Sequence, residues 1–401
     1  MPTSPLNAPT MIAKADALTR LVEQLSHEPL IAVDTESNSL YAYRERVCLI
    51  QISTRESDFL IDPLAIKDLS PLAPLFADPQ IEKVFHAAEY DIMCLKRDYG
   101  FTFANLFDTM VASRIIGRKQ IGLGNLLGEY FGVEVNKRFQ RADWSRRPIP
   151  RDQLNYAQHD THYLPALRDI LGELLHQQHR YQEAQEVFAD LCAIPAAVHT
   201  FDPDGFWRIH AARELSPREM AVLKELFLLR DKIAQQRNYP PFKVVNDETL
   251  ITVVKKMPGN EAALYTIEGL NDRLIERQGA AILEAIQRGM QSKPPQRPDL
   301  SPRLDQETTA RYDTLHRWRK MRAAERGVES DVIIPKEALW ALAKNPAHTL
   351  EELEHIPGLG PWKRDQYGEE LLKLLANGSL TDSAAVDADE DDVIDVDEEA
   401  S

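Results

Sequence analysis

A chain of 401 residues with 47 Lys and Arg against 63 Asp and Glu carries a formal charge of −16, and that length accommodates two or three domains with a sizeable core. No apolar run approaches the roughly 18 residues that a membrane span needs, no basic-plus-apolar signal segment opens the chain, and the three cysteines show no metal-ligand spacing. These features exclude a membrane protein and a disulfide scaffold and lead us to expect a soluble, cytoplasmic protein with reduced cysteines.

In chain order, Leu30-Ile31-Ala32-Val33 reads as a core strand, and the two carboxylates that follow, Asp34 and Glu36, are two residues apart and so share a face. Lys83-Val84-Phe85-His86 reads as another strand, followed by a helix from about Glu89 to Arg97 with Asp91 near its start. A further helix is expected to begin near Pro150, a first-turn residue because it lacks an amide hydrogen. It places Tyr156 and Asp160 four apart on one face, and Pro165 is expected to kink or restart it. Just before this helix, Lys137, Arg138, Arg141, Arg146, Arg147 and Arg151 should surround whatever mouth it borders, suiting a strand whose phosphates need neutralising. Trp144, among them, reads better as core.

Taken singly, an Asp at a strand end is more often a turn residue than a ligand. Taken together, buried carboxylates without partners are too costly to be incidental, and a divalent cation is the obvious counter-charge. In order and context the set Asp34-x-Glu36, Asp91 and Asp160 resembles the DEDD superfamily of 3′-to-5′ exonucleases, and Tyr156 four residues before the last acid resembles its tyrosine subclass. The histidine subclass has its His where this chain has Asn155, so His159 is not expected to be the base.

The segments Arg46-Val47-Cys48-Leu49-Ile50-Gln51-Ile52-Ser53, Phe107-Asp108-Thr109 and Gln140-Arg141-Ala142-Asp143-Trp144-Ser145-Arg146-Arg147-Pro148 are similar to those of the ribonuclease D family, over roughly residues 12–205. The resemblance implies an α/β ribonuclease H-like fold, a mixed central sheet flanked by helices. It implies two divalent cations, Mg²⁺ or Mn²⁺, one held by Asp34, Glu36 and Asp160 and the other by Asp34 and Asp91, with Tyr156 orienting the attacking water. It also places Thr35, Gln51, His86 and Arg147 on the substrate side, although His86 reads equally well as a hydrogen-bonded strand-end histidine. Where many members of the superfamily have Asn after that His, this chain has Ala87.

Beyond residue 210 the chain repeats at an ungapped offset of 89, pairing Arg230 with Arg319, Arg237 with Arg326, Ile267 with Ile356 and Gly269 with Gly358. Both copies, 212–291 and 305–378, resemble the all-helical, nucleic-acid-binding HRDC domain, with the proline-rich stretch Lys293 to Pro302 as an extended spacer. The turn Ile356-Pro357-Gly358-Leu359-Gly360 reads as either a phosphate-binding glycine turn or a plain helix cap; its counterpart Ile267-Glu268-Gly269-Leu270-Asn271 lacks the second glycine, so phosphate contact is expected in the second copy sooner than in the first. Arg311, Arg317, Arg319, Lys320, Arg322 and Arg326 read first as a solvated helix face. Ten acidic and no basic residues between Asp382 and Ser401 leave the rest of the chain at −6, and 381–401 reads as a disordered tail.

The expected activity is 3′-to-5′ exoribonucleolytic release of nucleoside 5′-monophosphates, acting on tRNA precursors and other small structured RNAs with single-stranded 3′ ends. No obligate protein partner is inferred. The alternatives are a DNA 3′-to-5′ exonuclease, which uses the same acids, and a non-catalytic RNA-binding scaffold, which would have no reason to keep them.

Overall fold

The computed structural model describes residues 6–135, 137–198, 200–296 and 305–377. The acidic tail and the later part of the proline-rich spacer lie outside these residues. Among them the chain forms two compact units, one of residues 6–38, 46–198 and 305–377, the other of 39–45 and 200–296.

The first unit opens with β1 (Thr10–Ile12), α1 (Ala15–Leu25), β2 (Leu30–Ser37), β3 (Val47–Ser53), β4 (Asp58–Ile61), α2 (Ala73–Ala77), β5 (Glu82–Phe85), α3 (Glu89–Tyr99) and β6 (Leu106–Asp108). It continues with α4 (Thr109–Ile115), α5 (Leu123–Phe131), α6 (Arg151–His162), α7 (Leu164–Gln177) and α8 (Tyr181–Ala193). The six strands form one mixed sheet in the order β1-β4-β3-β2-β5-β6. β3 runs antiparallel to β2 and β4, while β5 is parallel to β2 and β6, and β1 is parallel to β4. Leu30 to Val33 are buried and continue without a break into Asp34 and Glu36, so the strand carries its carboxylates out of the core at its end. β3 is buried at every position, as a central strand covered on both faces must be. Pro165 restarts the chain as α7, in the first turn of a new helix. No helix among the described residues is long and apolar enough to cross a membrane.

The second unit holds α9 (Pro217–Arg237), α10 (Pro241–Val244), α11 (Asp247–Lys256), α12 (Glu261–Leu264) and α13 (Asp272–Gln291). A capping box between Ser216 and Glu219 starts α9. A Cβ at Gly289 would overlap the Val222 backbone, so glycine permits the close crossing of α13 on α9. Tyr43 is buried in this unit's core, its hydroxyl donating to Asp231 at 2.7 Å.

The first unit ends with α14 (Gln306–Arg326), α15 (Ser330–Ile333), α16 (Lys336–Lys344) and α17 (Pro361–Asn377). These helices begin 89 residues after α9, α10, α11 and α13 respectively, so the duplication read in the sequence is a duplication of structure. Even a buried detail is repeated: Arg230 donates to the Val245 carbonyl at 3.1 Å and Arg319 to the Ile334 carbonyl at 3.3 Å. The basic residues of α14 are only in part the solvated face expected: Arg317 and Lys320 are exposed, while Arg319 is buried and three others are engaged by neighbouring groups. Arg311 bonds the Ala343 carbonyl and Glu307, Arg322 pairs with Glu325 and Glu370, and Arg326 is engaged with α8.

Candidate active site

Asp34 and Glu36 project from the end of β2, where the pairing with β3 becomes irregular between Glu36 and Ser37. α6 packs across β2, β3 and β4 and delivers Asp160 to the same place. Oxygens of Asp34, Glu36 and Asp160 come within 4.8 Å of one another. Asp91, in the first turn of α3, lies outside this tightest group. It is buried and tied to β2 by the Thr35 hydroxyl, which donates to it.

So many carboxylates in one place resist ionising together. Burial, with Asp160 adding repulsion, holds Asp34 well above the usual carboxylate range; burial, then Asp34, Asp160 and Asp91, does the same to Glu36. Asp91 is raised by burial and by Asp34. Asp160 is pushed up to about 7 by burial, with a hydrogen bond from Tyr156 opposing and Asp91 reinforcing the rise. The Tyr156 phenol is raised by burial and by the negative field of Asp160, Glu36 and Asp34, so it is protonated at neutral pH. Its ring is held between Trp144, 6.1 Å away, and Phe139, 6.0 Å away. Trp144 is 1% exposed, a core residue that buttresses Tyr156.

This all-oxygen set of mutually repelling acids fits a hard divalent cation. A further sign is Gln51, directly opposite Asp34 in the β2–β3 register: its Nε2 donates to Asp34 Oδ2 at 3.3 Å, while its buried Oε1 has no protein partner.

A pH dependence follows. In the metal-free protein these carboxyls hold protons more tightly folded than unfolded, so their contribution to stability is complete below the unfolded values and is lost as pH rises through the folded ones. With Asp160 near 7, melting in chelator is expected to occur at lower temperature at about pH 8 than at about pH 5.5, and saturating Mg²⁺ or Mn²⁺ should raise it most at the higher pH. Calorimetry across that range checks it; a chelated protein more stable at the higher pH would refute the repulsion.

The residues expected on the substrate side divide. Thr35 faces Asp91, and Gln51 supports Asp34. His86 lies at the end of β5 with Nδ1 2.9 Å from the Thr109 hydroxyl, and burial lowers its pKa to about 4, leaving the ring neutral. Arg147 departs from expectation. Its guanidinium grips Asp62 through two 2.7 Å bonds and donates to the carbonyls of Trp144, Arg146 and Cys48, so all five donors are consumed within the protein and none is left for a phosphate. It latches the segment before α6 onto β3 and the end of β4.

Asp108 escaped sequence reasoning as a site residue. Its buried carboxylate caps α4 through the amides of Met110 and Val111 and accepts from those of Ala87 and Ala88, fixing the turn that leads into Asp91. The signal was its place at the end of β6, immediately before a helix. Within that turn Ala87 has φ +61, a left-handed conformation that suits Gly or Asn better than Ala. Ala87→Gly is therefore expected to stabilise the fold by about 1 kcal/mol, read as a raised urea midpoint at unchanged slope.

A mixed sheet that presents Asp34-x-Glu36, a helix-borne Asp91 and a Tyr156–Asp160 pair defines a 3′-to-5′ exonuclease of the DEDD class. Residues 9–176 match the 3′-5′ exonuclease family, and residues 219–286 and 308–375 each match the HRDC domain. The chain is 30% identical over 380 residues to ribonuclease D of Gluconacetobacter diazotrophicus, covering 91% of this chain and 92% of that one. The crystal structure of Escherichia coli RNase D matches with a TM-score of 0.66 at 26% identity, covering 92% of this chain and 99% of that one. The catalytic core of RRP6 from Trypanosoma brucei matches with a TM-score of 0.67 at 29% identity, covering 73% and 83%. The chain belongs to the ribonuclease D family and is a 3′-to-5′ exoribonuclease, of a type that depends on divalent metal.

Proposed function

We propose that the protein trims the 3′ ends of tRNA precursors and other small structured RNAs in the cytoplasm, one nucleotide at a time, releasing nucleoside 5′-monophosphates. The observation that carries this reading is the convergence of Asp34, Glu36 and Asp160 beside Tyr156. Asp34, Glu36 and Asp160 would hold one Mg²⁺ or Mn²⁺, and Asp34 with Asp91 a second. When bound, such ions neutralise charge on the phosphoryl oxygens and make water a competent nucleophile at neutral pH.

The chain's own residues supply position. Tyr156, protonated and hydrogen-bonded to Asp160, presents its phenol to the attacking water. Gln51 fixes the rotamer of Asp34, and Thr35 fixes that of Asp91. Neutral His86 can meet the substrate only as a hydrogen-bonding ring, since it carries no charge to offer a phosphate.

The test is incubation with a 3′-extended tRNA and a matched DNA strand, with and without Mg²⁺. Stepwise shortening of the RNA to 5′-monophosphates, in Mg²⁺ only, is expected. Equal turnover of DNA would overturn the substrate, and full activity in excess chelator the metal assignment.

A further inference from the structure

The glycine turn before α17 does not wait empty for a phosphate. The amide of Trp362, in the first turn of α17, donates to Glu186 Oε2 of α8 at 2.7 Å. A Cβ added at Gly360 would overlap that same carboxylate, so the residue is glycine where a side chain of another element lies on the backbone. The first copy differs at the matching position. Asn271, 89 residues earlier, turns its own side chain onto the Leu274 amide at 2.9 Å and caps α13 from within. Gly360 has no side chain to do this, and the cap comes from α8.

The surroundings extend the match. Glu183, Glu186 and Asp190 are spaced three and four apart, which places them in one stripe along α8. Facing it are Arg326, whose Nη2 lies 2.5 Å from Glu183 Oε2 and whose Nη1 donates to the Tyr367 hydroxyl at 2.7 Å, and Lys363, 7% exposed and within the field of all three acids. Glu183 is itself buried, and Arg180 of the same segment donates to the Arg326 carbonyl at 2.9 Å. A helix N-terminus, a close-approach glycine and two cations along a line of negative charge are the components with which such turns hold a phosphodiester backbone. Here each is matched by a carboxylate of the same chain.

We propose that the turn Gly358-Leu359-Gly360 with the start of α17 is an anion-binding turn whose occupant is the Glu186 carboxylate, standing in for a phosphate. The second HRDC domain is thereby a docking module for the nuclease domain, closed to RNA at this turn. Arg237, the first-copy counterpart of Arg326, has no such carboxylate partner among the described residues, consistent with the two copies having divided their roles.

The experiment uses full-length protein labelled with ¹⁵N-tryptophan, whose five residues give a resolvable spectrum, titrated with inorganic phosphate. In the wild type the Trp362 amide is expected to be protected from exchange and indifferent to phosphate. In Glu186→Ala it should lose protection and shift with millimolar phosphate. Glu186→Gln, which keeps the side chain's size and removes only its charge, should respond in the same direction and covers the case in which the alanine variant misfolds. Phosphate shifting the wild-type amide as much as the variants', or shifting none of them, would overturn the proposal.

Discussion

Asp34→Asn is expected to lower kcat for RNA trimming by on the order of 10³-fold or more, with the fold intact. Asp34 is the carboxylate shared by both sides of the site: it meets Glu36 and Asp160 directly, repels Asp91, and is held by Gln51. An amide of the same shape keeps the packing of β2 and removes the charge that divalent ions need. The same change relieves repulsion, since Asp34 raises the pKa of both Glu36 and Asp91. The metal-free variant should therefore melt no lower than the wild type at about pH 8, while the stabilisation gained on adding Mn²⁺ shrinks. These two readouts separate loss of metal from loss of fold. Near wild-type turnover in the variant would falsify the assignment of Asp34 as a metal ligand.

Where the acids sit was legible locally, while their grouping as one set rested on the resemblance of their order and context to the DEDD superfamily. An apolar run becomes a strand and sets the face of the residues that end it, so Leu30 to Val33 fixed where Asp34 and Glu36 would point. A four-residue spacing on a helix did the same for Tyr156 and Asp160. What was not legible depends on partners distant in the chain. Nothing near Arg147 announces Asp62, 85 residues before it, so a guanidinium beside an active-site helix read as a phosphate contact. Thr35 and Gln51 read as substrate-side residues, but their partners are carboxylates of the site itself, Asp91 on α3 for Thr35 and Asp34 across the β2–β3 pairing for Gln51, contacts that only the fold creates.

The same limit explains the second helical domain. The 89-residue offset exposed the duplication, because repeats are a one-dimensional property. The divergence in use was hidden, since the basic residues of α14 read as an ordinary solvated face until Glu183 of α8 and Arg326 are brought together. Gly360 carried the only local hint, a glycine where the first copy has Asn271, and its meaning depends on Glu186.

Tyr156→Phe is expected to lower kcat by roughly 10²- to 10⁴-fold, the usual contribution of a positioned acid or base, with little change in RNA affinity. The ring is held by Trp144 and Phe139, contacts that phenylalanine keeps. Only the hydroxyl is lost, and two consequences follow. The attacking water loses the group that positions it. Asp160 loses the hydrogen bond that opposes the rise in its pKa, so in the metal-free variant it should hold its proton to a higher pH than in the wild type. Because burial and three neighbouring acids keep the phenol protonated, the role proposed for it is that of a donor that orients water and not of a free phenolate; the loss should therefore persist across the neutral pH range instead of vanishing where a base would be deprotonated. His159→Ala is the control. Its Nδ1 is committed to the Asn155 carbonyl at 2.6 Å, and single-turnover cleavage by that variant should stay close to wild type. If Tyr156→Phe cleaves like the wild type while His159→Ala does not, the tyrosine has been given a role that belongs to the histidine.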